Sequence, residues 1–185
     1  MAFLSLAKER QSVRRYSPRP VENEKLERCL EAARLAPSAS NSQPWHFIIV
    51  KQEPLRSEVA KATFSGSVKF NKFALNAPVL VVIIMMKPRL LNRIAMLLKK
   101  KEWRLIDIGI TAEHFCLQAA QEGLGTCMMG WYDEKQLKSL LSIPRDKTVA
   151  LVISLGYAEE GYPLRNKIRK PIGEIVSYDG YSAPG

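Results

Sequence analysis

Histidine is nearly absent from this 185-residue chain, which has two, and cysteine is sparse, with three. Cys29, Cys116 and Cys127 form no CxxC or other metal-ligand spacing, and so few histidines argue against a Cys–His nucleophile pair. No metal site is expected. An odd cysteine count without an export signal favours reduced thiols and a cytoplasmic setting. There is no GxxxxGK phosphate loop, no GxSxG elbow and no HExxH helix. Gly123-Leu-Gly-Thr lacks the glycine spacing of the dinucleotide fingerprint and follows a helical pattern instead of a strand. Long apolar runs are missing as well. The longest, Ala77 to Met86, falls short of the roughly 20 residues that span a bilayer. The amino terminus has no apolar signal-peptide core, and no repeat or linker interrupts the chain. What remains is one soluble domain, residues 1–185, without an acid/base constellation of its own. That profile suits a protein that delegates its chemistry to a cofactor.

Acid is short relative to base, with 28 Lys and Arg against 18 Asp and Glu and a net charge of +10. Such a balance suggests anionic ligands or partners, but charge does not choose among phosphate cofactors, nucleic acid and membrane surfaces. Near the start, Arg10-Gln-Ser-Val-Arg-Arg-Tyr-Ser-Pro suits either a solvated arm or an anion site, because guanidinium groups match phosphate oxygens. Lys87 to Arg104 sets seven cations around Leu90, Leu91, Ile94, Leu97 and Leu98. This segment suits an amphipathic surface binder or a solvated helix over an opening. No aromatic stacking series accompanies it, so neither nucleic acid nor membrane is assigned as a partner.

Periodicity predicts helices over Phe3–Glu9, Asn23–Leu35 (capped by Glu22 or Asn23), Pro54–Thr63, Asp107–Glu122 and Glu134–Leu141. In the fourth, Ile108, Ala112, Phe115 and Ala119 share a stripe that Ile110 and Leu117 broaden, and His114 is read as structural. Asp133 and Gln136 fit a capping box. Strands are predicted at His46–Lys51, Val79–Met86, Thr148–Tyr157 and, strand-like, Glu174–Tyr178. The unbroken apolarity of Val79–Met86 marks a central strand buried on both faces. Phe64–Asn76 is ambiguous, with Gly66 a break.

Between the second helix and the first strand lies Ala36-Pro-Ser-Ala-Ser-Asn-Ser-Gln-Pro-Trp45, rich in small hydroxyl and amide side chains. Alone it reads first as a surface turn, ahead of the alternative of backbone able to approach a ligand closely. Pro44 should hold Gln43 extended.

Four motifs now occur in order: Arg10-Gln-Ser-Val-Arg-Arg-Tyr16, Pro37-Ser-Ala-Ser-Asn-Ser-Gln-Pro-Trp45, Gly123-Leu-Gly-Thr-Cys-Met-Met-Gly130 and Lys167-Ile-Arg169-Lys-Pro171-Ile-Gly-Glu-Ile-Val. Together they resemble the FMN-dependent nitroreductase family, over roughly Arg10 to Val176. The resemblance implies an α+β fold, with a mixed central sheet flanked by helices, in an intertwined homodimer with FMN at the subunit interface. By analogy, Arg10, Gln11, Ser12 and Arg14 come from one subunit. Arg10, Lys167 and Arg169 would hold the phosphate, and Arg14 would lie near the N1/O2 edge of the flavin. Pro37, Ser38, Ala39 and Asn41 would reach the same flavin from the other subunit, while backbone NH groups around Met129 and Gly130 would face N5 and O4. No side chain is expected to be catalytic, since flavin N5 carries the chemistry. NAD(P)H would deliver hydride and leave, and a nitroaromatic, quinone or similar small acceptor would then be reduced. Reductive dehalogenation and non-catalytic flavin binding are the alternatives. Ala39 stands where many relatives have serine, which removes a hydroxyl contact. Asn71 is the nearest candidate for a pyrimidine contact and is left unassigned.

Overall fold

The computed structural model describes residues 2–64, 69–87 and 102–181. Gly66 and most of the basic segment Lys87–Arg104 lie outside the described residues. The helices are α1 (Phe3–Glu9), α2 (Asn23–Arg34), α3 (Leu55–Lys61), α4 (Trp103–Gln121) and α5 (Glu134–Leu140). The strands are β1 (Trp45–Val50), β2 (Val79–Met85), β3 (Gly125–Met129) and β4 (Thr148–Gly156).

The strands form one sheet in the order β1-β2-β4-β3, antiparallel throughout. Among the described residues, the parallel component of the expected mixed sheet is confined to the bridge between Ser12 and Thr126. β2 is central and its side chains alternate between two cores, as a period of two requires. Val79, Val81 and Ile83 join Leu26, Cys29 and Ala33 of α2 and Ile108, Ala112, Phe115 and Ala119 of α4 on one face. Leu80, Val82 and Ile84 join Val59 and Ala60 of α3 and Leu137 of α5 on the other. Helices on both faces explain why the strand is apolar at every position.

The α4 stripe is buried as its spacing predicts, with Thr111 and Cys116 sharing its burial, whereas Ile110 and Leu117 stay half-buried. Gly123, at φ +75°, ends the helix in the left-handed conformation that glycine favours. The Asp133 carboxylate accepts the Gln136 N–H at 2.9 Å and so starts α5. The expected cap of α2 does not form. Glu22 accepts from Tyr157 Oη and Arg19 at 2.7 Å each, and Asn23 Oδ1 accepts from Lys51 at 2.6 Å. The expected strand at Glu174–Tyr178 is also not there. Ile172–Glu174 is a 3-10 turn followed by exposed irregular chain, because a strand needs a ladder and, among the described residues, this stretch joins none. Among the described residues, no helix is long and apolar enough to cross a membrane.

Candidate functional site

The arginine arm is held against the sheet edge. Val13 donates its N–H to Thr126 O at 2.8 Å, beside the parallel Ser12–Thr126 bridge, so the arm runs along β3. Val13 is itself buried and sits where a Cβ on Gly125 would come within 2.5 Å of it, which requires glycine there. The chain beyond β4 then crosses over the arm. Gln11 Nε2 donates to Pro163 O at 3.0 Å, and Gln11 Oε1 accepts the Arg165 N–H at 3.1 Å. Arg165 also reaches Ser12 O, and the Lys167 ammonium reaches Arg10 O. The Arg14 N–H donates to Tyr162 Oη at 3.2 Å, and its guanidinium lies 5.9 Å from the Phe73 ring centroid.

These contacts bring Arg10, Arg165 and Lys167 together, and among the described residues the carboxylate paired with this group is Glu113, which meets Arg10 at 3.0 Å. Partial burial first, and then Arg10, Arg169 and Arg165, push the Lys167 pKa below the usual lysine range. Cations that penalise one another in this way are stabilised by an anion placed among them. Of the expected phosphate residues, Lys167 meets Arg10 directly beside Gln11 and Ser12, whereas the Arg169 guanidinium donates to Ile168 O at 2.7 Å and bears on Lys167 through its charge. Arg165 belongs with them, although the sequence motif did not single it out.

β3 leads from the arm into Met129, which is buried, and Gly130. Among the described residues, a Cβ on Gly130 would meet nothing within 4 Å, so neither packing against them nor a positive φ accounts for glycine at this position. Open space over the backbone is what a closely approaching planar ligand needs. Beside it, buried Asn71 donates Nδ2 to Trp131 O and to Thr63 O, at 3.1 Å each. Half-exposed Trp131 and exposed Phe70 form an edge-to-face pair, with centroids 6.3 Å apart.

Pro37–Gln43 is built differently. Ala39–Asn41 forms a 3-10 turn in which Ser40 and Asn41 have φ of +52° and +50°. Gln43 has φ +47°, where the pre-proline rule predicted extended backbone. Local bonds account for the departure. The Gln43 N–H donates to Ser38 Oγ at 2.9 Å, and Gln43 Nε2 donates to Asn41 Oδ1 at 3.0 Å. Left-handed backbone costs on the order of 1 kcal/mol for each non-glycine residue, so the turn depends on such contacts. Ala39 has both backbone groups engaged, its N–H donating to Asp107 Oδ1 at 3.1 Å and its carbonyl accepting from Ser42 at 3.1 Å. Its N–H is thus used inside the protein, which limits the backbone contact it could offer a flavin. Pro37, Ala39 and Asn41 are exposed and Ser38 is half-exposed.

Among the described residues, no hydrogen bond or ion pair joins this turn to the arm or to Lys167–Arg169. The arm meets α4 at Glu113 and the turn meets it at Asp107, six residues earlier. At 100° per residue those two positions point in different directions around the helix. The arm and the turn therefore face different ways. The chemistry of the arm and β3 fits FMN, with cations suited to a phosphate and an open glycine edge suited to a ring system.

Comparison with known proteins agrees with this geometry. The model of the nitroreductase family matches residues 7–157. A chain from Archaeoglobus fulgidus, provisionally named NADH dehydrogenase/NAD(P)H nitroreductase, is 32% identical over 155 residues, 82% of each chain. The iodotyrosine deiodinase of Thermotoga neapolitana is 24% identical over 191 residues, 92% of this chain and 94% of that one. The solved structure of an FMN-dependent nitroreductase from Clostridium difficile superposes with a TM-score of 0.76 at 27% identity, covering 97% of this chain and 100% of that one. Matched by the family model over most of its length, the chain belongs to the nitroreductase family.

Proposed function

We propose that residues 1–185 form one FMN-binding domain of an NAD(P)H-dependent oxidoreductase that reduces nitroaromatic, quinone or similar electron-poor acceptors. It acts as a cytoplasmic homodimer with FMN at the subunit interface. The observation that carries the reading is the arm, which joins the cation cluster on one side to β3 and the open edge of Gly130 on the other. FMN, when bound, supplies a carrier that takes hydride from NAD(P)H and passes reducing equivalents to the acceptor.

The chain's own residues bind and orient. Arg10, Lys167 and Arg169, joined by Arg165, hold the phosphate, while Gln11 and Ser12 fix the arm beside it. Arg14 makes no ion pair among the described residues, and its cation favours negative charge at the N1/O2 edge. Met129 and Gly130 present backbone to the reactive edge. Pro37, Ser38, Ala39 and Asn41 form the wall contributed by the second subunit. Phe70 and Trp131 offer aromatic surface beside Gly130 that suits planar acceptors and excludes water.

The test is the visible spectrum of the purified protein during titration with FMN, followed by anaerobic titration with NADH and NADPH and then an acceptor. Stoichiometric FMN uptake, bleaching by at least one nucleotide and recovery on adding the acceptor are expected. A colourless protein that takes up no FMN would defeat the reading. Similarity to the deiodinase motivates a second arm, in which halogenated phenols are offered to the reduced protein without oxygen. Their turnover, with nitroaromatics and quinones inert, would move the assignment to reductive dehalogenation. FMN binding with no turnover of any acceptor would make the protein a flavin binder only.

A further inference from the structure

Along α4, Asp107, Thr111 and His114 follow at intervals of four and three and so share a face. All three turn polar atoms toward one short run of chain. Thr111 Oγ1 donates to Ala33 O at 2.7 Å, His114 Nδ1 lies 3.2 Å from Ala32 O, and Asp107 Oδ1 accepts the Ala39 N–H at 3.1 Å. The first two contacts hold the carboxyl end of α2, and the third holds the start of the left-handed turn. Asp107 is only 4% exposed, and its second oxygen, Oδ2, is buried without a hydrogen-bond partner among the described residues. A buried carboxyl with an unsatisfied oxygen is unfavourable for folding, and an apolar side chain would avoid that cost. The contact that Asp107 makes, and an apolar residue could not, is the one to Ala39.

We propose that Asp107 is the positioning residue for the cofactor wall: it acts through Ala39 to keep Ser38–Gln43 in the conformation that receives FMN. It does not touch the flavin itself. The inference rests on the FMN reading above. Without the carboxyl, the Ala39 N–H loses its acceptor and the turn retains only bonds among its own residues, which do not fix it relative to α4. Asparagine at this position keeps an acceptor oxygen for Ala39, whereas alanine and serine do not reach it.

The experiment uses full-length wild type and the variants Asp107→Ala, Asp107→Ser and Asp107→Asn. FMN affinity is read from flavin fluorescence and spectral shape, and the Ala39 and Asn41 amides are followed by hydrogen exchange in the absence of FMN. Asp107→Ala should accelerate exchange at Ala39 and weaken FMN binding about tenfold, in line with the loss of one hydrogen bond to an acidic group. Asp107→Asn should return both readouts to near wild type, a rescue that general loss of packing would not produce. Asp107→Ser serves in place of Asp107→Ala if the latter does not fold. Unchanged FMN affinity in the alanine and serine variants overturns the proposal alone, as does an asparagine variant no better than alanine. Wild-type protein that takes up no FMN overturns the flavin reading, and this proposal with it.

Discussion

Gly125 and Gly130 bracket β3 for different reasons. At Gly125 a side chain would collide with Val13 of the arm, so the residue is small for packing within the protein. At Gly130 the space is open among the described residues, and on the proposed reading it is left for the flavin. Gly130→Val should therefore leave the fold and melting temperature close to wild type while reducing FMN occupancy. Full occupancy in that variant, measured by absorbance after desalting, would remove Gly130 from the flavin edge. Lys167 is a second such residue, since partial burial first and then the cations Arg10, Arg169 and Arg165 lower its pKa against the pull of Glu113. Replacing Lys167 and Arg169 together by alanine should weaken FMN retention by about 1.5–3 kcal/mol for each charged hydrogen bond lost. Equilibrium dialysis measures it, and wild-type retention would take both out of the phosphate site. Arg10 and Lys167 were legible as motif residues, but Asp107 and Arg165 were not. Asp107 acts on a residue 68 positions away, and Arg165 on one 153 positions away. Neither sits in a local pattern that would announce the contact.

Each element was legible in proportion to how far its own residues determine it. β2 and β4 carry continuous apolar runs, and α4 carries a buried stripe, so periodicity located all three. β3 was missed as a strand. Its five residues, Gly-Thr-Cys-Met-Met, have little strand pattern of their own, and their geometry comes from pairing with β4 and the arm. The reverse error occurred in the tail, where the strand-like composition of Glu174–Tyr178 joins no ladder among the described residues. The entrance to α2 shows a different substitution of roles. Glu22, expected to cap the helix, instead joins it to the residues just past the arm and just past β4, through Arg19 and Tyr157. The Tyr157 hydroxyl first, and Arg19 among the remaining causes, hold the Glu22 pKa down to about 2, below its ordinary value of 4.5. A carboxyl with a depressed folded-state pKa adds stability that is complete above its unfolded value and lost as pH falls toward the folded one. Stability should thus decline as pH drops from about 4.5 to about 2, and Glu22→Gln should flatten that part of the profile. Denaturant midpoints across this window measure the effect, and identical slopes in the two proteins would dismiss the link.

At the scale of the molecule, apolar surface is concentrated away from the sheet. Phe3 and Leu4 of α1 and Leu105 and Ile106 of α4 are exposed, and in the tail Ile168, Ile172 and Tyr178 are 91%, 72% and 87% exposed. On the proposed homodimer reading, a second copy of the chain covers this surface and brings the other wall of the FMN site. Dimerisation and flavin binding should then fail together. Ile168→Asp with Ile172→Asp changes side chains that pack on little within their own chain, so each protomer should fold while sedimentation shows monomer and fluorescence shows free FMN. A monomer that still holds FMN tightly would take Pro37, Ser38, Ala39 and Asn41 out of the site.

The sheet edges carry a consequence for how an unpaired protomer behaves. β1 has six residues bracketed by Pro44 and Lys51, and β3 has five with the arm laid along it. Short edges, a flanking proline and lysine, and a covering segment all discourage growth by strand addition. A protomer kept from its partner should therefore stick through its tail and helices, forming amorphous, redissolvable aggregates in preference to fibrils.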